Sequence, residues 1–197
     1  MPIPPIHLAS SSLRRQEILR GLGLSFSAAA VDSDERRLPA ETAEKMVLRL
    51  AVTKATSADA DESQIVIAAD TAVVAGTEIF GKPKDRADGL AMLAKLSGRT
   101  HRVLTGVAVL SAGDFFTAVS ATEVRFREIR PDEASAYWQS GEAGDKAGAY
   151  AIQGLGGVFV ESITGSYTGV VGLPVYETAT LLRAAGFDPV LNACRKP

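Results

Sequence analysis

The clearest helical pattern in the chain lies between Thr42 and Ala55, where apolar side chains recur at the spacing of one helix face. The positions that follow this spacing are Ala43, Met46, Val47, Leu50 and Ala51. Thr42 precedes them and carries a hydroxyl that can cap the first turn. Lys54 continues the apolar stripe, so its ammonium either extends to solvent at the helix end or points into a binding cleft.

A second strong pattern runs from Gln64 to Thr71. Ile65 to Ala69 are five consecutive apolar residues, which is typical of a central strand covered on both faces. The run ends at Asp70, and ligands of α/β sheets bind beyond the carboxyl ends of the strands. A carboxylate there needs a cation, a hydrogen-bond donor or a proton. Asp70 is therefore a candidate metal ligand or general base, with a structural turn aspartate as the alternative.

The N-terminal segment combines a short apolar run, a hydroxyl-rich turn and paired arginines. Three serines from Ser10 onward are followed by Arg14 and Arg15, at the start of a helical pattern that stops at Gly21. Backbone N–H groups at a helix start attract anions, and guanidinium groups match the geometry of phosphate oxygens. The segment predicts a polyphosphate site that includes Ser10, Arg14 and Arg15. A capped helix with two solvated arginines is the alternative.

The remaining patterns alternate between strands and helices, which predicts an α/β fold. Strands are expected at residues 24–31, 99–110, 119–127 and 158–163, and helices at residues 85–98, 131–141 and 174–186. Residues 73–83 resemble a hairpin that returns Lys82 to the side of the strand carrying Asp70. A turn is expected at residues 165–169, and a short mobile tail at residues 189–197.

Two polar segments and one histidine add candidate chemistry. Asp34 and Glu35 lie in an acidic turn after a predicted strand, and paired carboxylates of this kind can hold Mg²⁺, although a solvated loop has the same composition. His101 is either catalytic or a hydrogen-bonded structural residue.

The glycine-rich residues 144–157 contain Asp145, Lys146 and Gln153. A glutamine amide can pair with the imide edge of uracil or thymine, because it carries both a donor and an acceptor. A flexible surface loop is the alternative.

Composition limits the classes of partner. The chain has 197 residues, 46% of them hydrophobic and 22% charged, with a formal net charge of −2. This balance is ordinary for a globular protein and argues against binding to polymeric nucleic acid. No apolar run approaches the length needed to cross a bilayer, so no membrane partner is expected. The N-terminus lacks the pattern of a signal peptide, and the single cysteine, Cys194, cannot form an internal disulfide. We therefore expect a cytoplasmic protein.

Nine motifs, in this order and spacing, resemble the Maf family over residues 6–186. They are Leu8-Ala9-Ser10-Ser11-Ser12-Leu13-Arg14-Arg15, Asp34-Glu35, Ala51-Val52-Thr53-Lys54-Ala55, Ala69-Asp70-Thr71, Gly81-Lys82-Pro83, Leu96-Ser97-Gly98, Asp145-Lys146-Ala147-Gly148-Ala149-Tyr150, Ile152-Gln153-Gly154 and Val171-Gly172-Leu173-Pro174. The resemblance implies a Maf-like (ITPase-like) α/β fold with an elongated mixed sheet, flanking helices and two lobes around a deep cleft. It implies a single domain at residues 1–190, with residues 191–197 as a C-terminal tail.

The resemblance also implies an activity and a branch of the family. Members hydrolyse nucleoside triphosphates to monophosphate and pyrophosphate with Mg²⁺ or Mn²⁺, and the family is linked to inhibition of septum formation. The motifs match the branch that prefers dTTP, UTP and modified pyrimidine nucleotides. In that branch Arg14, Thr71 and Gln153 occupy positions associated with substrate choice, and Asp70 that of the proton acceptor. A sister branch acts on 7-methyl-GTP and has glutamate where this chain has Gln153.

Together these patterns predict a site. Ser10, Arg14 and Arg15 are expected to hold the triphosphate, and the two lysines that assist them are Lys54 and Lys82. The expected metal ligands are Glu35 and Asp70, and the remaining expected substrate-binding residues are Thr71, Asp145, Lys146 and Gln153. Two alternatives stay open, a 7-methyl-GTP pyrophosphatase and a nucleotide-binding regulator of septum formation without significant turnover. Relatives commonly form dimers, which allows a homodimer.

Overall fold

The structure, a computed structural model, describes residues 4–193 and has strands and helices that alternate along much of the chain. The strands are β1 (Ile6–Leu8), β2 (Phe26–Ala28), β3 (Ile65–Ala75), β4 (Glu78–Phe80), β5 (Thr100–Ser111), β6 (Asp114–Phe126) and β7 (Val160–Thr164). The helices are α1 (Leu13–Gly21), α2 (Ala43–Thr56), α3 (Arg86–Leu96), α4 (Pro131–Gln139), α5 (Tyr167–Val171), α6 (Val175–Ala184) and α7 (Pro189–Ala193). Two short 3₁₀ helices lie at Ala147–Ala149 and Leu155–Phe159.

The strands form one mixed sheet in the order β2-β1-β3-β5-β6-β7, with β4 paired to β3. β1 runs parallel to both β2 and β3, whereas the β3–β4 and β6–β7 pairs are antiparallel. The α/β class and the mixed sheet expected from the sequence are confirmed. The hairpin is confirmed as well, because Val73 pairs with Phe80 and Ala75 pairs with Glu78.

The chain divides into two compact units. The first unit comprises the described residues up to Asp70, Thr105–Ser120 and the described residues from Gly172 onward. Its main core lies between β1, β3, β5 and helices α1 and α6, and includes Leu8, Leu19 and Leu182, none of which is exposed.

The second unit comprises Thr71–Leu104 and Ala121–Val171. Its core is more aromatic, because Phe126 packs edge-on against the Tyr150 ring and Tyr137 packs edge-on against Phe159. Each unit therefore buries its own apolar cluster. Among the described residues, no helix is long and apolar enough to span a bilayer.

Two segments expected to be irregular form short helices. α5 replaces the turn predicted at residues 165–169, because the Ser166 hydroxyl accepts a hydrogen bond from the Gly169 N–H at 3.0 Å and caps the new turn. α7 replaces the first part of the predicted tail, because the Asp188 carboxylate accepts from the N–H groups of Val190 and Leu191. Residues 194–197 of the predicted tail, with Cys194, lie outside the described residues. The strand expected at 24–31 is limited to β2.

Candidate active site

Three side chains that the sequence singled out meet in the first unit. The Nζ of Lys54 lies 2.7 Å from Oε1 of Glu35 and 2.7 Å from Oδ1 of Asp70. The Lys54 and Asp70 side chains are 10% and 13% exposed, whereas that of Glu35 is 53% exposed. One ammonium therefore joins a half-exposed carboxylate to one that is nearly buried.

The pattern of α2 explains why Lys54 points inward. Thr42 caps the helix as expected, since its hydroxyl accepts a hydrogen bond from the N–H of Lys45 at 3.3 Å. Ala51 and Ala55, on the same stripe as Lys54, pack in one cluster with residues of β3. This packing turns the stripe toward the strand that carries Asp70. Of the two orientations left open by the sequence, the structure has the inward one.

The loop that carries Glu35 has no regular secondary structure and is held by a pair that the sequence analysis missed. Arg49 of α2 donates to Glu41 at 2.6 and 2.9 Å, and to the carbonyl of Arg36 at 3.1 Å. Hydrogen bonding to Arg49 lowers the pKa of the Glu41 carboxyl to about 2. Glu41 is 8% exposed. The sequence signal that could have indicated this pair is the position of Arg49 beside the apolar stripe of α2.

Asp34, the other carboxylate of the acidic turn, does not join the Lys54 cluster through any hydrogen bond in the described part of the chain. It accepts hydrogen bonds from the Arg36 side chain at 2.6 to 3.0 Å on the exposed surface. The Arg36 guanidinium lowers the pKa of the Asp34 carboxyl to about 2. This exposed pair fits the solvated-loop interpretation of Asp34.

The start of α1 brings together the hydroxyl and guanidinium groups expected to bind phosphate. Arg15 donates from Nε to the carbonyl of Gly172 at 2.8 Å and from Nη1 to the Ser10 hydroxyl at 3.3 Å. The Ser10 hydroxyl also accepts from the N–H of Ser12 at 3.2 Å. Ser12 occupies the N-cap position but makes no side-chain cap. Ser10, from two residues earlier, therefore supplies the oxygen that orders this turn.

Arg15 also lies within electrostatic reach of the acidic pair. Burial lowers the pKa of its guanidinium, Asp70 and Glu35 raise it, and the neighbouring Arg14 lowers it further. Arg14 is half-buried on the same turn of α1. The first unit thus places Lys54 in contact with Glu35 and Asp70, and Arg15 within electrostatic reach of the same two carboxylates.

The second unit holds the other candidate residues. Lys82 is exposed and lies two residues beyond β4, and the carbonyl of the preceding Gly81 accepts a hydrogen bond from the N–H of Gly148 at 3.0 Å. This bond ties the Lys82 loop to the Ala147–Ala149 turn, next to the ion pair formed by Asp145 and Lys146. Thr71, half-buried in β3, begins this unit.

Gln153 lies at an exposed turn between Ala151 and the 3₁₀ helix Leu155–Phe159. The turn is closed by a hydrogen bond from the N–H of Gly154 to the carbonyl of Ala151 at 3.2 Å. The amide side chain is therefore presented at the surface of the second unit by a defined backbone.

His101 is buried, and its position fits the structural interpretation. Its Nε2 lies 2.9 Å from the Tyr150 hydroxyl, and its ring packs edge-on against those of Phe126 and Tyr150. Its Nδ1 has no hydrogen-bond partner among the described residues. Burial lowers the pKa of the imidazole to about 4, so the ring is neutral at physiological pH.

The donor set limits how a metal could bind. The described residues contain no group of three or more His, Cys, Asp or Glu side chains able to hold a metal ion. Glu35 and Asp70 nevertheless share one cation, the ammonium of Lys54. Mg²⁺ is commonly held by one or two carboxylates together with substrate phosphates. The pair therefore fits a divalent ion that binds together with a triphosphate.

Comparison with known proteins agrees with the motifs and the fold. The family described as Maf-like protein matches residues 5–185, which is nearly the whole chain. The chain belongs to the Maf family. Its Maf-family motifs supply both the Lys54 cluster and the Gln153 turn described above.

Several curated Maf-family relatives match over most of their length. A protein of Hahella chejuensis named dTTP/UTP pyrophosphatase is 51% identical over 183 residues, covering 91% of each chain. A protein of the same name from Anaeromyxobacter dehalogenans is 50% identical over 93% of this chain and 95% of the relative. A third, from Saccharophagus degradans, is 46% identical over 91% of this chain and 88% of the relative.

Proposed function

We propose that this protein hydrolyses dTTP and UTP to the nucleoside monophosphate and pyrophosphate. The observation that carries the proposal is the placement of the Lys54 ammonium at 2.7 Å from both Glu35 and Asp70, with Arg15 of α1 within electrostatic reach of both carboxylates. The names of relatives about 50% identical over nearly the full chain support the same activity. Modified pyrimidine nucleotides belong to the same substrate class.

The proposed roles of the first unit begin with charge neutralisation. Arg14 and Arg15 bind phosphate oxygens together with the N–H groups at the start of α1, while the Ser10 hydroxyl keeps Arg15 in place. When the triphosphate binds, the Lys54 ammonium also contacts a phosphate oxygen and offsets part of its negative charge. Such fixed cations stabilise the charge that develops on the phosphoryl oxygens, which supplies most of the rate in phosphoryl transfer.

Asp70 is the proposed general base. Lys54 contacts its Oδ1, which fixes the orientation of the carboxyl and leaves Oδ2 to accept a proton from water. The oxygen of that water forms the new bond to the α-phosphorus as the bond to the pyrophosphate oxygen breaks. The water proton passes to Asp70, and pyrophosphate leaves with the bonding electrons.

Glu35 and Asp70 are the proposed carboxylates that hold a divalent cation, Mg²⁺ or Mn²⁺, directly or through water, and this ion binds with the triphosphate. The ion supplies charge neutralisation at the phosphates when it is bound. The loop position of Glu35 and its 53% exposure suit a ligand that exchanges with solvent as substrate enters and product leaves.

Residues of the second unit are proposed to select the substrate. The Gln153 amide pairs with the imide edge of uracil or thymine, which presents two carbonyl acceptors and one N–H donor. Thr71 is proposed to contribute to the choice of nucleotide together with Gln153. Lys82 binds phosphate oxygens, and Asp145 with Lys146 contact the nucleotide on the turn tied to the Lys82 loop.

The direct test measures pyrophosphate release from a panel of dTTP, UTP, dCTP, dATP, GTP and 7-methyl-GTP with Mg²⁺. We expect turnover of dTTP and UTP above that of the other nucleotides. Preference for 7-methyl-GTP would instead place the protein in the sister activity, and tight dTTP binding without pyrophosphate release would indicate a regulator.

The general base is tested by Asp70→Asn, which keeps the shape of the side chain but removes the proton acceptor. We expect kcat to fall by at least about 100-fold, as general-base removal typically does. Asp59→Asn, an exposed carboxylate replaced in the same way, is the matched control and should keep wild-type turnover. Near wild-type hydrolysis of dTTP by a folded D70N variant would overturn the assignment.

A further inference from the structure

One carboxylate in the second unit organises the turn that presents Gln153. Oε1 of Glu142 accepts hydrogen bonds from the Tyr137 hydroxyl at 2.7 Å and from the N–H of Gly156 at 2.9 Å. Its Oε2 accepts from the N–H of Leu155 at 2.9 Å. Glu142 therefore holds the start of the 3₁₀ helix that follows Gln153.

The other side of the same turn is held by Tyr137. Its hydroxyl accepts a hydrogen bond from the N–H of Ala151 at 3.1 Å while it donates to Glu142. Tyr137 is 2% exposed, and burial raises the pKa of its hydroxyl, so the phenol remains a donor at all ordinary pH values. A single Tyr137–Glu142 pair thus fixes the backbone on both sides of Gln153.

The glycines of the turn are explained by this pair. A Cβ at Gly154 would lie 2.0 Å from Oε2 of Glu142, and one at Gly156 would lie 2.7 Å from the Tyr137 hydroxyl. Both distances lie below 3.0 Å, which real Cβ contacts essentially never reach. Gly154 and Gly156 therefore make room for the side chains that brace the turn.

We propose that Glu142 and Tyr137 are positioning residues for base recognition, which act through Gln153 and do not touch the substrate. The inference rests on the proposed function, because it assumes that Gln153 pairs with the pyrimidine. Glu142 is a half-buried acceptor of three hydrogen bonds, and two of their donors are backbone N–H groups within three residues of Gln153. A hydrogen-bonding side chain selects its partner only when its backbone is held in one geometry.

The test replaces Glu142 with glutamine, which keeps the size of the side chain but turns one acceptor oxygen into an NH₂ donor. In Glu142→Gln one N–H of the turn, or the Tyr137 hydroxyl, then faces a donor instead of an acceptor. We expect KM for dTTP and UTP to rise on the order of tenfold with a smaller change in kcat, because uniform binding of the base is lost. The inhibition constant for the monophosphate dTMP should rise by a similar factor.

Pyrophosphate as an inhibitor separates positioning of the base from general damage. It carries no base, so its inhibition constant should be unchanged in E142Q. The matched control is Glu161→Gln, an exposed carboxylate of the same unit paired with Arg125, which should leave all these constants at wild-type values. An equal rise for dTMP and pyrophosphate would overturn the inference, as would an unchanged KM in folded E142Q.

Tyr137→Phe is the second variant if E142Q does not fold, since it removes only the hydroxyl that joins Ala151 to Glu142. We expect the same pattern with a smaller rise in KM, and a wild-type KM for dTTP in Y137F would overturn the inference. Hydrogen exchange should also be faster at the Ala151, Leu155 and Gly156 amides in either variant. Failure of the wild-type protein to hydrolyse dTTP or UTP would refute the proposed function. The positioning role is tested separately, by the ratio of the KM of each variant to the KM of the wild type.

Discussion

The ammonium of Lys54 decides how the acidic side chains around it are arranged. It contacts Glu35 and Asp70 at the same distance, and the residue is 8% exposed. Two carboxylates this close to one point repel each other unless a cation lies between them. Lys54 provides that cation, so the acidic pair is held together before any phosphate or metal binds. When substrate binds, the Lys54 ammonium can pair with a phosphate, and the two carboxylates can pair with a divalent ion.

At the same scale, the buried neutral state of His101 has a consequence for stability. Its pKa is about 4 in the folded protein, below the ordinary value of 6.5, because burial disfavours the charged ring. Between these two pH values the unfolded chain binds a proton that the folded chain does not. We therefore expect His101 to lower the free energy of unfolding as the pH falls from about 6.5 to about 4, by up to about 3 kcal/mol.

Urea titrations at pH 7 and pH 4.5 check this expectation. In His101→Phe the loss of stability between the two pH values should be smaller than in the wild type. Tyr150→Phe is the control, because it removes the hydrogen bond at Nε2 but leaves the imidazole that titrates. The same pH dependence in wild type and H101F would rule out His101 as the source.

At the scale of elements, helix α2 positions the acidic loop at two points. Its Lys54 contacts Glu35, and its Arg49 contacts both Glu41 and the backbone of Arg36. The loop itself has no ladder of backbone hydrogen bonds. A segment of this kind keeps its shape only through such side-chain clamps. The placement of Glu35 therefore depends on Arg49 as well as on Lys54.

Arg49→Gln removes one of these clamps and leaves the Glu41 carboxylate without its guanidinium partner. We expect trypsin to cut faster after Arg36 and Arg37, because the loop opens more often. Turnover of dTTP should fall about tenfold, since Glu35 is held less firmly.

Lys45→Gln is the matched control for the Arg49 variant. Lys45 is an exposed residue of the same helix, and its replacement removes one trypsin site, as that of Arg49 does. The control should keep both the wild-type cleavage rate in the loop and the wild-type turnover. If R49Q and K45Q were cleaved at the same rate, the Arg49–Glu41 pair would not be what holds the loop.

At the scale of the whole molecule, each unit carries a different part of the proposed chemistry. The first unit contains the cations of α1, Lys54 and the two carboxylates, and its main core is built largely from aliphatic side chains. The second unit contains Lys82 and Gln153 and has an aromatic core. Asp70 and Thr71 are consecutive residues of β3, and the boundary between the units falls between them. One strand thus carries the proposed base in one unit and a specificity residue in the other.

The arrangement of Lys54 and the two carboxylates in the first unit predicts how the protein responds to loss of divalent metal. Addition of EDTA should abolish pyrophosphate release, because the proposed reaction needs the ion. The melting temperature without nucleotide should not change, since the Lys54 ammonium already bridges the two carboxylates and the described residues hold no cluster of three metal-binding side chains. A fall in melting temperature with EDTA would indicate a structural metal instead.

Local patterns in the sequence predicted the elements that carry the site. The apolar stripe of α2, its Thr42 cap and the uninterrupted run that ends at Asp70 depend on neighbours within a few positions, so the amino-acid order determines them. The short helices α5 and α7 escaped prediction because a polar residue that caps a turn resembles a polar residue in a loop.

The sequence by itself determined which charged side chains exist and which elements bear them. Only the tertiary structure decided that Lys54 points toward Asp70, that Arg49 clamps the acidic loop, and that Glu142 braces the turn beside Gln153. The physical reason is that a polar side chain in a folded protein takes the partner brought to it by packing. That partner can be far away in the chain, as Gly172 is from Arg15, and no local periodicity encodes it.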